Sequence, residues 1–442
     1  MRRFTLVWLA LFAGCGDEGG ARDGGAADVA HDILVPPADV LPVAPTVFLP
    51  KAALDPAEVA IVVNDADAQS LAVAEYYRVQ RAIPQGNVVH LTFSTGAVLD
   101  PVEFATVKAD LDAALGTDIQ ALVLTWAQPH RVGCMSATSA FALGFDTVYC
   151  NTSGGPCGVT AAVDYYNSDS AYPFSDHGIR PAMALSAASE QDAYDLIDRG
   201  IAADDTFPAG DGYFLRTTDA ARSVRWSDFI ATVGLLSHPG GLDLTYLDNS
   251  AGGGSNTLVD AVDVLFYFTG LADVPGIDTN TYLPGAVADH LTSFGGQIPS
   301  GGQMSVQEWL TAGATASYGT VVEPCNYEQK FPRTSVMLPR YFRGATVLEA
   351  YWKSVQWPGE GLFVGEPLAR PWGASAITFE DGTLTIETNF LDPTRNYQLV
   401  AADSADGPYD PVLEDISVSD TMRTTIVLAN AAAPFYRLQE TP

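Results

Sequence analysis

Apolar residues in the first third of the chain follow two rhythms. Glu58–Asn64 (EVAIVVN), Asn87–Phe93 (NVVHLTF) and Ile119–Trp126 (IQALVLTW) are close to continuous apolar runs. Between them, Ser70–Arg81 carries Leu71, Val73, Ala74, Tyr77 and Val79 at helical spacing, and Glu103–Leu115 reads as a second helix. Strands that alternate with helices and show no polar face predict a parallel sheet covered on both sides. Asn64, Asp65 and Asp67 then stand at the carboxyl end of the first strand, the edge where open α/β sheets bind ligands.

From His130 to Pro181 the rhythm dissolves into Ser, Gly, Tyr and Pro, which predicts a long inserted loop at 130–181. Alternation resumes with strands at Tyr213–Arg216, Leu242–Leu247, Asp263–Phe268, Tyr282–Ala288, Ala314–Val322 and Gly361–Val364. Helices are expected at Glu190–Ala203, Ala220–Leu236, Ser305–Ala312 and Thr346–Ser354. After Pro371 the helical period disappears, and AITF, TLTIET, YQLVAAD, TTIVLA and FYRL between Asp/Gly turns predict a small β-sandwich. The expected organisation is an α/β region at 47–205, a second at 206–372 and the sandwich at 373–442.

The amino-terminal segment changes the picture of where the chain works. Two arginines, an apolar run from Phe4 to Phe12 and then Phe12-Ala13-Gly14-Cys15 form an export signal over 1–14. It resembles a bacterial lipobox, which implies lipid on Cys15 and a membrane partner through that anchor. Several acyl chains at about 0.8 kcal/mol per buried CH₂ make such an anchor firm. Residues 15–46 are mainly Gly, Ala, Asp and Pro and read as a flexible tether. The expected location is the cell envelope of a Gram-negative bacterium, on the outer membrane or facing the periplasm.

Formal charge is −31, and −33 once Arg2 and Arg3 leave with the signal. Lysine occurs only at 51, 108, 330 and 353, so no basic stripe exists to neutralise phosphates, and nucleic acid is excluded as a partner. Excess carboxylate is compatible with Ca²⁺, without EF-hand spacing to support it. Beyond Cys15, four cysteines (134, 150, 157, 325) permit two disulfides, and Cys150 with Cys157 encloses a Gly/Pro-rich loop suited to closing on itself. G-x-S-x-G, H-E-x-x-H, the P-loop and a dinucleotide G-x-G-x-x-G in context are missing.

Over most of residues 55–372 the chain resembles an uncharacterised family of exported bacterial proteins, on VVNDADAQSLAVAEYYRVQRAIP, YYNSDSAYPFSDHGIRPAM, LPGAVADHLTSFGG, AGATASYGTVVEPCNYEQKFP and YWKSVQWPGEGLFVGEPLARP. More distantly, residues 260–370 are similar to the gingipain and caspase-like cysteine peptidases in the order of strand, Thr269-Gly270, second strand, AGATASYGTV, GATVLEAYWKS and FVGEPL. That resemblance implies two parallel-sheet subdomains, with His-Gly after the first strand and a nucleophilic Cys after the second. Here Leu271 occupies the histidine position, and Asp289 or His290 falls at the cysteine position. A leucine has no proton to shuttle.

The candidates for chemistry are therefore Asp289, His290, Glu323 and Cys325, with Asn326 and Lys330 on the same edge. Adjacent strand residues face opposite ways, so Asp289 and His290 do not form a dyad with each other; the alternative is a histidine satisfying loop carbonyls and an aspartate capping a turn. Cys325 is a disulfide partner, an inert thiol or a relocated nucleophile. Asn64, Asp65, Asp176 and Arg180, with His177, are ligand-binding candidates. The favoured role is a binding or scaffold protein, for a protein or glycan ligand, on a degenerate peptidase fold. The rivals are a hydrolase, metal-assisted or with a relocated site at Asp289, His290, Glu323 and Cys325, and a surface adhesin.

Overall fold

A computed structural model describes residues 44–151, 158–418 and 423–441. Cys15, the export signal, nearly all of the expected tether and Cys157 lie outside the described residues. β1 (Thr46–Phe48) pairs in parallel with Phe435–Arg437 at the other end of the chain. β2 (Val59–Asn64) is buried along its whole length, as its unbroken VAIVVN run dictates. Each Val or Ile fully buried there contributes about 1.5–3 kcal/mol. α1 (Ala68–Gln80) starts where the Asp67 carboxylate accepts from the amides of Gln69 and Ser70, supplying acceptors the first turn lacks. Next come β3 (Val88–Leu91), the short β4 (Val98–Leu99), α2 (Pro101–Ala114) and the fully buried β5 (Ala121–Leu124). Asp100 caps α2, and Pro101 fills a first position that needs no amide donor.

The stretch 130–181 holds more structure than its composition suggests. β6 (Arg131–Val132) and β7 (Met135–Ser136) join β4 in a small sheet, and α3 (Ala137–Leu143) packs on the main sheet. Cys134 is bonded to Cys150, so the expected Cys150–Cys157 closure is wrong. α4 (Pro173–His177) leads to β8 (Ala182–Ala184), which is inserted beside β5. Sequence reasoning missed α3 and β8 because their buried positions are mostly Ala, Ser and Thr, which give no hydrophobic amplitude.

α5 (Glu190–Ala203), β9 (Asp211–Arg216), α6 (Trp226–Leu236), β10 (Asp243–Asp248), β11 (Val264–Thr269), β12 (Tyr282–His290), α7 (Val306–Ala312) and β13 (Ala316–Thr320) continue the alternation. α8 (Thr334–Phe342), α9 (Val347–Ser354) and β14 (Gly361–Gly365) complete it. α7 and α9 each begin with a capping box, Ser305/Glu308 and Thr346/Glu349. The result is a mixed α/β fold around one sheet of order β10-β9-β11-β12-β13-β14-β8-β5-β2-β3.

Every neighbouring pair in that sheet is parallel except β13 and β14. Two sets of five strands therefore point in opposite directions within a single continuous sheet. The regions expected at 47–205 and 206–372 share that sheet, and β14, late in the chain, completes the amino-terminal set. Beyond β14, the carboxylate of Glu366 takes a bidentate pair from Arg81 at the end of α1 (2.8 and 2.6 Å). Gly200 of α5 permits this, because a Cβ there would sit 2.4 Å from Glu366 Cγ.

The remaining strands are β15 (Ala376–Glu380), β16 (Thr383–Thr388), β17 (Asn396–Ala402), β18 (Asp410–Ser417), β19 (Thr424–Leu428) and β20 (Phe435–Glu440). They form sheets β15-β16-β19 and β1-β20-β17-β18. Leu384 and Ile386 of the first and Leu399 and Leu438 of the second belong to one apolar cluster, separate from the main core.

Candidate functional site

Parallel strands send their following loops to one edge, and the loops after β9, β11, β12 and β13 meet there. β11 and β12 are neighbours, with Thr269 opposite His290, as the peptidase comparison requires. Gly270 is demanded by crowding, since a Cβ there would meet the carbonyl oxygen of Arg222 at 2.0 Å. Leu271 follows and contributes a side chain without acid-base chemistry. The loop after β12 is tied down by Gln303, whose carbonyl oxygen accepts from Thr292 Oγ1 (2.7 Å) and from the amides of Ser293 (2.9 Å) and Phe294 (3.0 Å).

These loops enclose a cleft of about 230 Å³, lined by Arg222, Leu291, Thr292, Ser293, Glu323, Pro324, Cys325 and Asn326 together with Ala221. Neither Asp289 nor His290 lines it, although the sequence placed one of them there with Glu323. Both side chains are only 1% exposed. They leave β12 on opposite faces, as the pleat requires.

Asp289 accepts from Arg225 Nη2 at 2.6 Å in a fully buried ion pair. Arg225 also donates to the carbonyls of Thr269 (3.0 Å) and Pro332 (3.3 Å), so one guanidinium fastens the ends of β11 and β12 to the segment before α8. Burial pushes the Asp289 carboxyl up, against the pull of Arg225. On the other face Trp309 of α7 donates its indole N–H to His290 Nδ1 at 2.9 Å. That bond puts the imidazole proton on Nε2, which is buried near the Met304 carbonyl without reaching it in hydrogen-bond geometry. Burial, reinforced by the Arg225 charge, lowers His290 to about 3, so the ring is neutral at physiological pH.

The other candidates separate in the same way. Glu323 is exposed and accepts from the amide of Cys325 at 2.9 Å. Cys325 is disulfide-bonded, with its partner outside the described residues, and a disulfide sulfur is no nucleophile. Lys330 has left the edge and is buried against Glu360 (2.7 Å). Asn64, fully buried, spends its amide on Phe93 O, Phe93 N and Ala66 N. Asp65 pairs with His90 (2.7 Å) at the carboxyl edge of the opposite strand set, away from the cleft. Asp176 accepts from Ser170 Oγ, His177 contacts Ser168 Oγ, and Arg180 stacks on Phe174 while bonding the carbonyls of Ile119 and Gly116. Asp176 and His177 pin their own loop, Arg180 ties it to the segment before β5, and none of the three converges with the cleft.

Arg222, Thr292, Ser293 and Gln303 were not singled out from the sequence. The turn TSFGG hinted at Thr292 and Ser293 alone. Among the described residues no cluster of three or more His, Cys, Asp or Glu is disposed to hold a metal ion, and no helix is long and apolar enough to cross a membrane.

No family model and no curated protein matches the sequence. A solved structure described as "Structure of Protease" is similar with a TM-score of 0.43 at 11% identity, covering 88% of this chain and 98% of that one. A likeness that low is too weak to argue from.

Proposed function

We propose that this chain is an exported, lipid-anchored binding or scaffold protein built on a degenerate cysteine-peptidase-like core, with the last strands forming an appended β-sandwich. One observation carries the non-catalytic part. At the ends of β11 and β12, where the resemblance implies a base and a nucleophile, stand Leu271 and a buried Asp289/His290 pair already committed to Arg225 and Trp309. Among the described residues no imidazole or thiolate lines the cleft, so neither acyl transfer to cysteine nor its activation has the groups it needs there. What the cleft offers is recognition, through the guanidinium of Arg222, the carboxylate of Glu323, the amide of Asn326 and the hydroxyl of Ser293.

The test is direct. The mature protein is incubated with a denatured protein substrate and with thiol-directed peptidase probes between pH 5 and 9. The expected result is no cleavage and no stoichiometric label. Labelling of Cys325 that disappears in His290→Ala would overturn the proposal and restore a relocated dyad. The anchor is tested separately: Cys15→Ser should release the protein from membranes, and unchanged detergent partitioning would refute lipidation.

A further inference from the structure

The chain carries a large negative charge, yet a group of basic residues gathers at one cavity that shares no lining residue with the cleft. Five of its 22 Lys and Arg residues (Lys51, Arg340, Arg343, Lys353, Arg395) line a cavity of about 110 Å³ against three acids, Asp169, Asp392 and Glu440. The acids are already engaged. Asp169 is held between Arg340 (2.7 Å) and Arg395, Glu440 takes two bonds from Arg395, and Asp392 is bound by Arg343 and by Thr394.

Two donors remain over. Lys353 on α9 is 3% exposed, and among the described residues no acceptor hydrogen-bonds its ammonium, which lies over the Tyr165 ring at 5.2 Å. Arg343 Nε is buried and has no acceptor either. Glu349, one turn before Lys353, uses Oε2 on Leu54 N, Thr346 N and Thr346 Oγ1 and forms no ion pair with the lysine. A buried ammonium that no carboxylate contacts directly is expensive, although Glu349 and Asp169 lie near enough to favour its charge, so a protein that keeps one at a cavity wall gains if an anion completes the site.

We propose that this cavity binds a small oxyanion on Lys353 and Arg343. The volume suits a phosphate, sulfate or carboxylate group. Arg343 offers planar N–H donors and Lys353 a point charge, the usual pairing for an oxyanion. Burial lowers Lys353 to about 8, with Glu349 and Asp169 opposing and Arg340 reinforcing that shift. Lys51, Arg343, Asp392, Arg395 and Glu440 complete the charged surroundings. The ammonium is thus still charged at neutral pH and is lost as pH rises.

The mature protein is titrated with inorganic phosphate, sulfate and acetate at constant ionic strength set by chloride, by calorimetry and by thermal shift. Saturable binding is expected, weakened at least about tenfold in Lys353→Met and in Arg343→Gln and unchanged in Arg180→Gln. Response to phosphate and sulfate alone assigns tetrahedral oxyanions; an added response to acetate assigns carboxylates as well. With sulfate, whose charge is constant, affinity should fall about tenfold per pH unit above the lysine pKa. Absence of saturable binding, or equal binding by wild type and both variants, overturns the proposal. If Lys353→Met does not fold, Arg343→Gln and the sulfate pH profile decide it.

Discussion

Replacing Arg225 with methionine should unfold the end of the main sheet far more readily than any change at the cleft surface. The guanidinium is 2% exposed and its partner carboxylate 1%, at 2.6 Å. Removing it strands Asp289 with Oδ1 newly unpaired and Oδ2 already without a partner. Breaking one side of such a pair costs about 3–5 kcal/mol. The lost bonds to the Thr269 and Pro332 carbonyls add to this, and proliferating penalties are limited because the stranded carboxyl can take up a proton instead of remaining charged. A loss near 4 kcal/mol at pH 7, shrinking at pH 5, is therefore expected. Arg225→Met with Asp289→Leu replaces both charges by apolar groups and should recover most of it. Urea unfolding followed by the fluorescence of the buried Trp309 and Trp352 measures these differences. A single variant within about 1 kcal/mol of wild type, or a double variant as unstable as the single, would refute the assignment of Asp289 as a structural ion-pair partner.

Other expectations rest on equally specific contacts. His290 is about 3 in the folded state against an ordinary 6.5, so the unfolded chain takes up a proton first as pH falls. Its contribution is full above pH 6.5 and is lost on the way down to about 3, at about 1.4 kcal/mol per pH unit; denaturation of His290→Asn should show a correspondingly flatter pH dependence across that window. Gly270→Ala places a methyl group 2.0 Å from the Arg222 carbonyl oxygen and should lower the melting temperature, whereas Gly302→Ala, which meets nothing within 4 Å, should leave it unchanged. Cys134→Ala with Cys150→Ala opens a loop of sequence separation 16 and should cost about 3 kcal/mol in denaturant titration; a loss under 1 would show that the unfolded chain is little constrained there.

Much of the order of strands and helices, though not α3, β8, α8 or β18, was legible in the sequence because continuous runs such as VAIVVN and helical spacing such as that of Leu71 to Val79 are local consequences of burial. So was the adjacency of β11 and β12, through the resemblance carried by Thr269-Gly270 and its neighbours. The opposite facing of Asp289 and His290 followed from the strand pleat alone. Tertiary structure decided what those residues do. Nothing local says that Arg225, 64 residues away, reaches Asp289, that Trp309 claims His290, or that Cys150 pairs backward with Cys134. The antiparallel seam between β13 and β14 is likewise invisible in periodicity, because a buried strand has the same apolar pattern in either direction. That seam sends Asn64 and Asp65 to one edge of the sheet and the cleft to the other. Side-chain chemistry is written residue by residue, but its function depends on which groups share a low-dielectric neighbourhood, and only long-range packing determines that.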